Sequence, residues 1–162
     1  MIPVYEPNTS EFVGEGELTR PFGDAIGNLT GTYAYPVCNG TTGLMLALWA
    51  VGVKPGDTVA VPAWTFPGVW NAVKAIGAIP QYTEIDGSFC LDPDFLKPCK
   101  AVLYVDANGR LGRLPEVLLW ARHRDIPVVE DACQGFGVTY NGAHLGTFGH
   151  VAPSFWRRFR LA

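Results

Sequence analysis

The chain has 162 residues, 48% of them hydrophobic and 17% charged, which is enough apolar side chain for one buried core and argues against disorder throughout. Its formal net charge of -3 at pH 7 comes from interspersed signs; with no basic stripe to displace counterions from a phosphate backbone, nucleic acid is a poor partner. No apolar stretch is long enough to span a bilayer, and the start, Met1 to Glu6, lacks the basic and apolar regions of a signal peptide, so a cytoplasmic protein is expected.

The cysteines, Cys38, Cys90, Cys99 and Cys133, show neither CxxC pairing nor the density of a disulfide scaffold, and are expected to be reduced and mostly buried. His123, His144 and His150 are too scattered to predict a metal site. Arg157, Arg158 and Arg160, beside Trp156 and Phe159, read as a solvated terminus.

In chain order, Phe12 to Gly31 mixes Gly14, Gly16, Pro21 and Gly23 with helical spacing, and Gly31 is a helix stop. Ala34 to Cys38 predicts a short strand. Asn39-Gly40-Thr41-Thr42 then opens the apolar run Leu44 to Ala50, a helix expected to be buried on most sides and ended by Gly52 and Pro55-Gly56-Asp57. Thr58 to Val61 predicts a strand closed by Pro62, Gly68 to Ile76 a helix, Ile79 to Ile85 a strand and Ala101 to Val105 another. Leu114 to Arg124 puts Leu114, Val117, Leu118 and Ala121 on one helical face; Ile126 to Val129 follows as a strand, and Tyr140-Asn141-Gly142-Ala143 carries a hairpin turn.

Strands alternating with helices need crossover connections, which predicts an α/β fold: a mostly parallel sheet covered on both faces, three layers α/β/α. With no repeat and no linker, one domain over residues 1–162 is the expected count.

In such sheets ligands sit beyond the carboxyl ends of the strands. Three segments there carry chemistry. At Asn39 to Gly43 a strand gives way to a helix whose free N–H groups and two hydroxyls suit a phosphate, or else Thr41 or Thr42 caps its own helix. At Pro62-Ala63-Trp64-Thr65-Phe66 the rings either stack on a flat heterocycle or belong to the core. At Val128-Val129-Glu130-Asp131-Ala132-Cys133-Gln134 an apolar strand ends in two acids. Asp131 there is placed to pair with a protonated ring nitrogen, while Glu130 reads as a helix cap or surface acid.

Together these segments resemble the DegT/StrS family of sugar aminotransferases, fold type I pyridoxal phosphate enzymes. The likeness covers nearly the whole chain, through Phe12-Val13-Gly14-Glu15-Gly16, Asn39-Gly40-Thr41, Pro55-Gly56-Asp57-Thr58-Val59, Pro62-Ala63-Trp64-Thr65-Phe66, Glu130-Asp131-Ala132-Cys133-Gln134 and Gly146-Thr147-Phe148-Gly149. It implies that pyridoxal 5'-phosphate is the cofactor. Gly40, Thr41, Thr42 and Ser154 would hold its phosphate, Phe66 would stack on its ring with Trp64 as neighbour, Asp131 would pair with the ring nitrogen and Gln134 with the ring hydroxyl. Intact relatives move an amino group from glutamate to a keto-deoxysugar carried on a nucleotide, and complete their sites across a dimer.

The same comparison places Phe159 where the family has its Schiff-base lysine, and His150 where an aspartate is usual; Lys54, Lys74, Lys97 and Lys100 all precede Asp131. Arginine cannot substitute, because its guanidinium stays protonated. The resemblance therefore implies a partial large domain without the small C-terminal domain, apparently truncated and inactive by itself. The alternative is a non-catalytic cofactor-binding or assembly module that forms a homo-oligomer or pairs with a full-length homologue. A dinucleotide-binding fold is disfavoured by the absence of GxGxxG after a first strand.

Overall fold

The computed structural model describes residues 19–152. The chain divides into two compact units, Met1–Pro36 and Val37–Ala162. In the first, helix α1 (Thr19–Thr30) ends as expected at Gly31, whose φ of 71° lies in the left-handed region.

The expected strand at Ala34 to Cys38 is not formed: the segment is irregular and pairs with no strand among the described residues. Pro36 has no N–H to give a ladder, and Tyr33 and Tyr35 are almost wholly exposed, so neither hydrogen bonding nor burial favours pairing there.

In the second unit, α2 (Gly40–Ala50) starts at Asn39, whose side chain accepts from the Thr42 N–H. It ends in a Schellman motif: the Gly52 N–H reaches the Trp49 carbonyl and the Val53 N–H the Leu48 carbonyl, with Gly52 at φ 82°. Gly43, Leu44, Ala47 and Leu48 form its buried stripe. The expectation of burial on most sides is corrected, since Leu46 and Trp49 on the outer face are 45% and 51% exposed. The stretch is apolar all round, and only tertiary packing chooses which face is covered.

Strands β1 (Thr58–Pro62), β2 (Ile79–Thr83), β3 (Ala101–Val105) and β4 (Val128–Asp131) form one parallel sheet in the order β2-β1-β3-β4. Helices α3 (Pro67–Ala75) and α4 (Leu114–Arg122) make the crossovers from β1 to β2 and from β3 to β4. Strand β2 stops at Thr83, short of the expected Ile85, which instead bridges Leu91 in antiparallel sense. Strand β4 begins at Val128 and not Ile126, because Pro127 has no N–H to donate and contributes only its carbonyl, to Val102. At its other end the strand runs on to Asp131, paired with Val105, so both acids lie inside it. The hairpin of β5 (Thr139–Tyr140) and β6 (Ala143–His144) turns through Asn141 and Gly142, both at positive φ.

The pleat sorts the core into two layers. On one face Val59, Val61, Leu103, Val105 and Val129 pack with Leu44 and Leu48 of α2 and Val69 and Val73 of α3. On the other, Ala60, Val102, Tyr104 and Val128 pack with Leu114, Val117 and Ala121 of α4. Helices on both faces of a parallel sheet make the three layers that alternation predicts.

Leu48 is wholly buried between α2 and the sheet. Leu48→Ala is expected to cost about 2–5 kcal/mol of unfolding free energy, read as a lower urea midpoint with an unchanged slope.

Candidate functional site

All four strands run the same way, so the segments that follow them gather at one edge of the sheet. The start of α2 has no acceptor within the helix for its first amides, and Asn39 satisfies one of them with a bond of 2.9 Å to the Thr42 N–H. The cap is therefore Asn39, not Thr41 or Thr42. The Thr42 hydroxyl accepts from Cys38 Sγ at 3.3 Å. Thr41 turns toward α3, where a Cβ added to Gly68 would lie 2.7 Å from Thr41 Oγ1 and 2.6 Å from a Phe66 ring carbon. Glycine at 68 leaves the space in which a hydroxyl and an aromatic ring meet.

Phe66 is 66% exposed and Trp64 51%, so neither belongs to the core. The two rings part company. Trp64 stands 5.0 Å from Phe89, over which the Arg110 guanidinium lies at 5.8 Å, while Phe66 stays beside Thr41 and Gly68. Phe89 holds φ at 68°, a costly conformation for a bulky side chain. Thr65 Oγ1, between the rings in sequence, is buried without a partner among the described residues.

Asp131 ends β4 opposite Val105 of β3, and is 4% exposed. Two residues beyond Val129, it shares that residue's face of the sheet, the one covered by α2. Its Oδ1 accepts from the Cys133 N–H at 3.0 Å. Burial pushes its pKa up, against the opposing effect of the bonds from Cys133. Gln134 is exposed; its Oε1 accepts from the Asn108 N–H at 2.9 Å, which leaves the amide NH2 outward. The sequence-predicted residues Gly40, Thr41, Thr42, Phe66, Asp131 and Gln134 all stand at the carboxyl edge. Ser154 and Phe159 lie outside the described residues.

Glu130 points to the opposite face and is wholly buried, which overturns its reading as a cap or surface acid. Its Oε1 accepts from the Gly146 N–H at 2.7 Å, and its Oε2 from the Phe148 and Gly149 N–H groups at 2.8 and 2.7 Å. Sequence reasoning also passed over Asp106, directly after β3, although an acid closing an apolar strand was the available signal. Asp106 is fully buried, and neither carboxyl oxygen has a hydrogen-bond partner among the described residues. Burial first, and then the charge of Glu130, push its pKa up to about 9.

Among the described residues no cysteine is in a disulfide, and the expectation of burial holds for Cys90 alone; Cys38 is exposed, and Cys99 and Cys133 lie between. Lys54 precedes β1, Lys97 and Lys100 precede β3, and Lys74 sits in the last turn of α3, so all the lysines of the chain stand toward the amino edge, away from Asp131. Among the described residues no helix is long and apolar enough to cross a membrane.

Residues 4–157 match the DegT/DnrJ/EryC1/StrS aminotransferase family, and the chain belongs to it. GDP-perosamine synthase of Escherichia coli O157:H7 is 30% identical over 93% of this chain and 47% of its own length. Among solved structures, the aminotransferase from Psychrobacter cryohalolentis superposes with a TM-score of 0.80 at 28% identity, over 85% of this chain and 36% of that one. NtdA from Bacillus subtilis, with bound cofactor PMP, gives 0.76 at 32% identity, over 85% and 33%. The chain thus spans about half the length of the curated relative and about a third of the solved structures.

The carboxyl of Asp106 gives a pH signature. Its folded value of about 9 lies above the ordinary 3.8, so the folded state holds a proton the unfolded state has released, and stability falls as pH rises between those two values. Urea unfolding across this window is expected to show that decline, and Asp106→Asn to flatten it.

Proposed function

We propose that this chain carries the cofactor-facing part of a pyridoxal phosphate-dependent sugar aminotransferase site, and that by itself it holds the cofactor without covalent attachment. The reading is carried chiefly by one arrangement: the Thr41 hydroxyl and the Phe66 ring meet at Gly68, and Asp131 is buried on the sheet face that α2 covers. Gly40, Thr41 and Thr42 would take the phosphate at the start of α2, where amides and the helix dipole favour an anion. Phe66, open to solvent, would lie against the ring, with Trp64 as the second ring nearby. Gln134 has its NH2 free to donate to the ring oxygen, and Ser154 is assigned to the phosphate by family likeness alone.

Bound there, pyridoxal phosphate supplies an electron-accepting ring that acidifies a carbon-bound proton of an amine. Asp131 would pair with the ring nitrogen and keep it protonated, a charge-assisted bond that burial would strengthen. Proton movement on the substrate needs an amine base, and each of the chain's lysines is at the other edge of the sheet. Transamination therefore requires a lysine from elsewhere. The substrate class follows the relatives: a keto-deoxysugar on a nucleotide, with glutamate as amino donor.

An assembly role with a second copy or a full-length homologue is favoured by the outer stripe of α2, where Leu46 and Trp49 stand exposed. Size-exclusion chromatography is expected to show self-association or a complex with such a homologue, weakened by Trp49→Glu; a monomer under both conditions removes this second role.

Titration with pyridoxal phosphate is expected to give saturable binding by absorbance, weakened roughly tenfold to a hundredfold in Asp131→Asn, the loss of one charge-assisted bond. Borohydride is expected to leave no adduct on a single residue. Equal affinity in Asp131→Asn, or one stoichiometric lysine adduct, contradicts the reading.

A further inference from the structure

Asp106 and Glu130 present an unequal pair of buried carboxyls. Tyr104 and Glu130 are register partners on adjacent strands, and Val128 and Tyr104 pack on the α4 side, so Glu130 and the residue following Val105 lie on that same side of the edge. Glu130 collects three amide donors from the 146–149 segment, whereas Asp106 collects none. An ionised carboxylate in that position is costly, since it is buried without a donor and beside two other acids.

Among the described residues no cation pairs with Asp106. On β4, Glu130 lies on its side of the sheet and Asp131, on the other side, adds a second acid nearby; on β3, the Tyr104 hydroxyl is spent on the Leu111 carbonyl at 2.7 Å. Gly135, from the segment after β4, closes over the Asp106 side chain, where an added Cβ would lie 3.4 Å from Asp106 Cβ. The ion pairs among the described residues all belong to Arg113, with Asp92, Asp94 and Glu116.

We propose that Asp106 is a positioning residue carried as the neutral acid, whose O–H donates to the Glu130 carboxylate and so holds Glu130 in the rotamer that clamps residues 146–149 beside β4. Glu130 then meets four donors, its three amides and the Asp106 hydroxyl, and the pair shares one proton in place of two charges. The clamp matters because the segment it holds continues as a strand neighbour of β4. His150 donates its N–H to the Val128 carbonyl, the Glu130 N–H reaches the Val151 carbonyl, and Val129 bridges Val151 in parallel sense. Gly149 lies so close that a Cβ there would sit 2.8 Å from Glu130 Cβ. The wall of the edge next to Asp131 is thus built by the Asp106–Glu130 pair. The inference does not depend on the cofactor reading, and its test uses no cofactor.

Infrared difference spectra of the whole chain test it. At neutral pH wild type is expected to show a carboxylic-acid C=O band that vanishes in Asp106→Asn. Asp106→Asn, whose amide can donate to Glu130, is expected to keep hydrogen-exchange protection of the Gly146, Phe148 and Gly149 amides, while Asp106→Leu, which cannot, lowers it at least tenfold relative to the β3 amides. Wild type is expected to lose that protection as pH rises through about 9, and Asp106→Asn to retain it. Absence of an acid band in wild type at neutral pH, persistence of the band in Asp106→Asn, or equal protection in the Asn and Leu variants overturns the proposal. The infrared arm decides it even where Asp106→Leu does not fold.

Discussion

A parallel strand that ends in two acids must send them to opposite faces, because successive side chains of a strand alternate. That constraint organises the carboxyl edge of this protein. Glu130 is driven into the layer away from α2, where an isolated carboxylate is untenable, and the amides of Gly146, Phe148 and Gly149 are brought to it. Asp131 is left on the face that α2 covers, buried, with Cys133 donating to its carboxyl. One acid ties a later segment to the strand, and the other is held by the residue two places on.

The rest of the carboxyl edge rests on helix starts. Asn39 caps α2 and so leaves Thr41 free to turn toward α3, and Gly68 removes the side chain that would otherwise keep Thr41 and Phe66 apart. Trp64, two residues from Phe66 in sequence, is held by a different set of contacts, Phe89 and Arg110. Neighbouring aromatic residues thus serve separate parts of the edge. The loops carrying Phe89 and Arg110 are fastened from beneath by buried groups: the Cys90 thiol donates to the Arg110 carbonyl and the Tyr104 hydroxyl to the Leu111 carbonyl.

Much of this was legible in the sequence. Turn residues, apolar runs and their spacing located three helices and four parallel strands to within a few residues, and the end of a further helix at Gly31, because each run's period and its Gly or Pro boundary are local properties. The same locality explains the misses. Ala34 to Cys38 has strand-like residues but no strand partner among the described residues, Leu46 and Trp49 belong to an apolar helix whose covered face cannot be told from its composition, and Pro127 delayed β4 by removing a ladder donor.

Among the acids the division is sharper. That Asp131 closes a buried strand at the ligand-bearing edge follows from the run Val128-Val129-Glu130-Asp131 and from the alternation of elements, so the sequence alone determined the fold class, the edge and this candidate partner for a ring nitrogen. Tertiary structure alone decided that Glu130 is a buried clamp and that Asp106 is buried beside it with no donor to its carboxyl among the described residues, because the donors that satisfy Glu130 come from sixteen to nineteen residues downstream. Burial and hydrogen-bond supply are set by which segments fold back onto the strand, and no local pattern records that return.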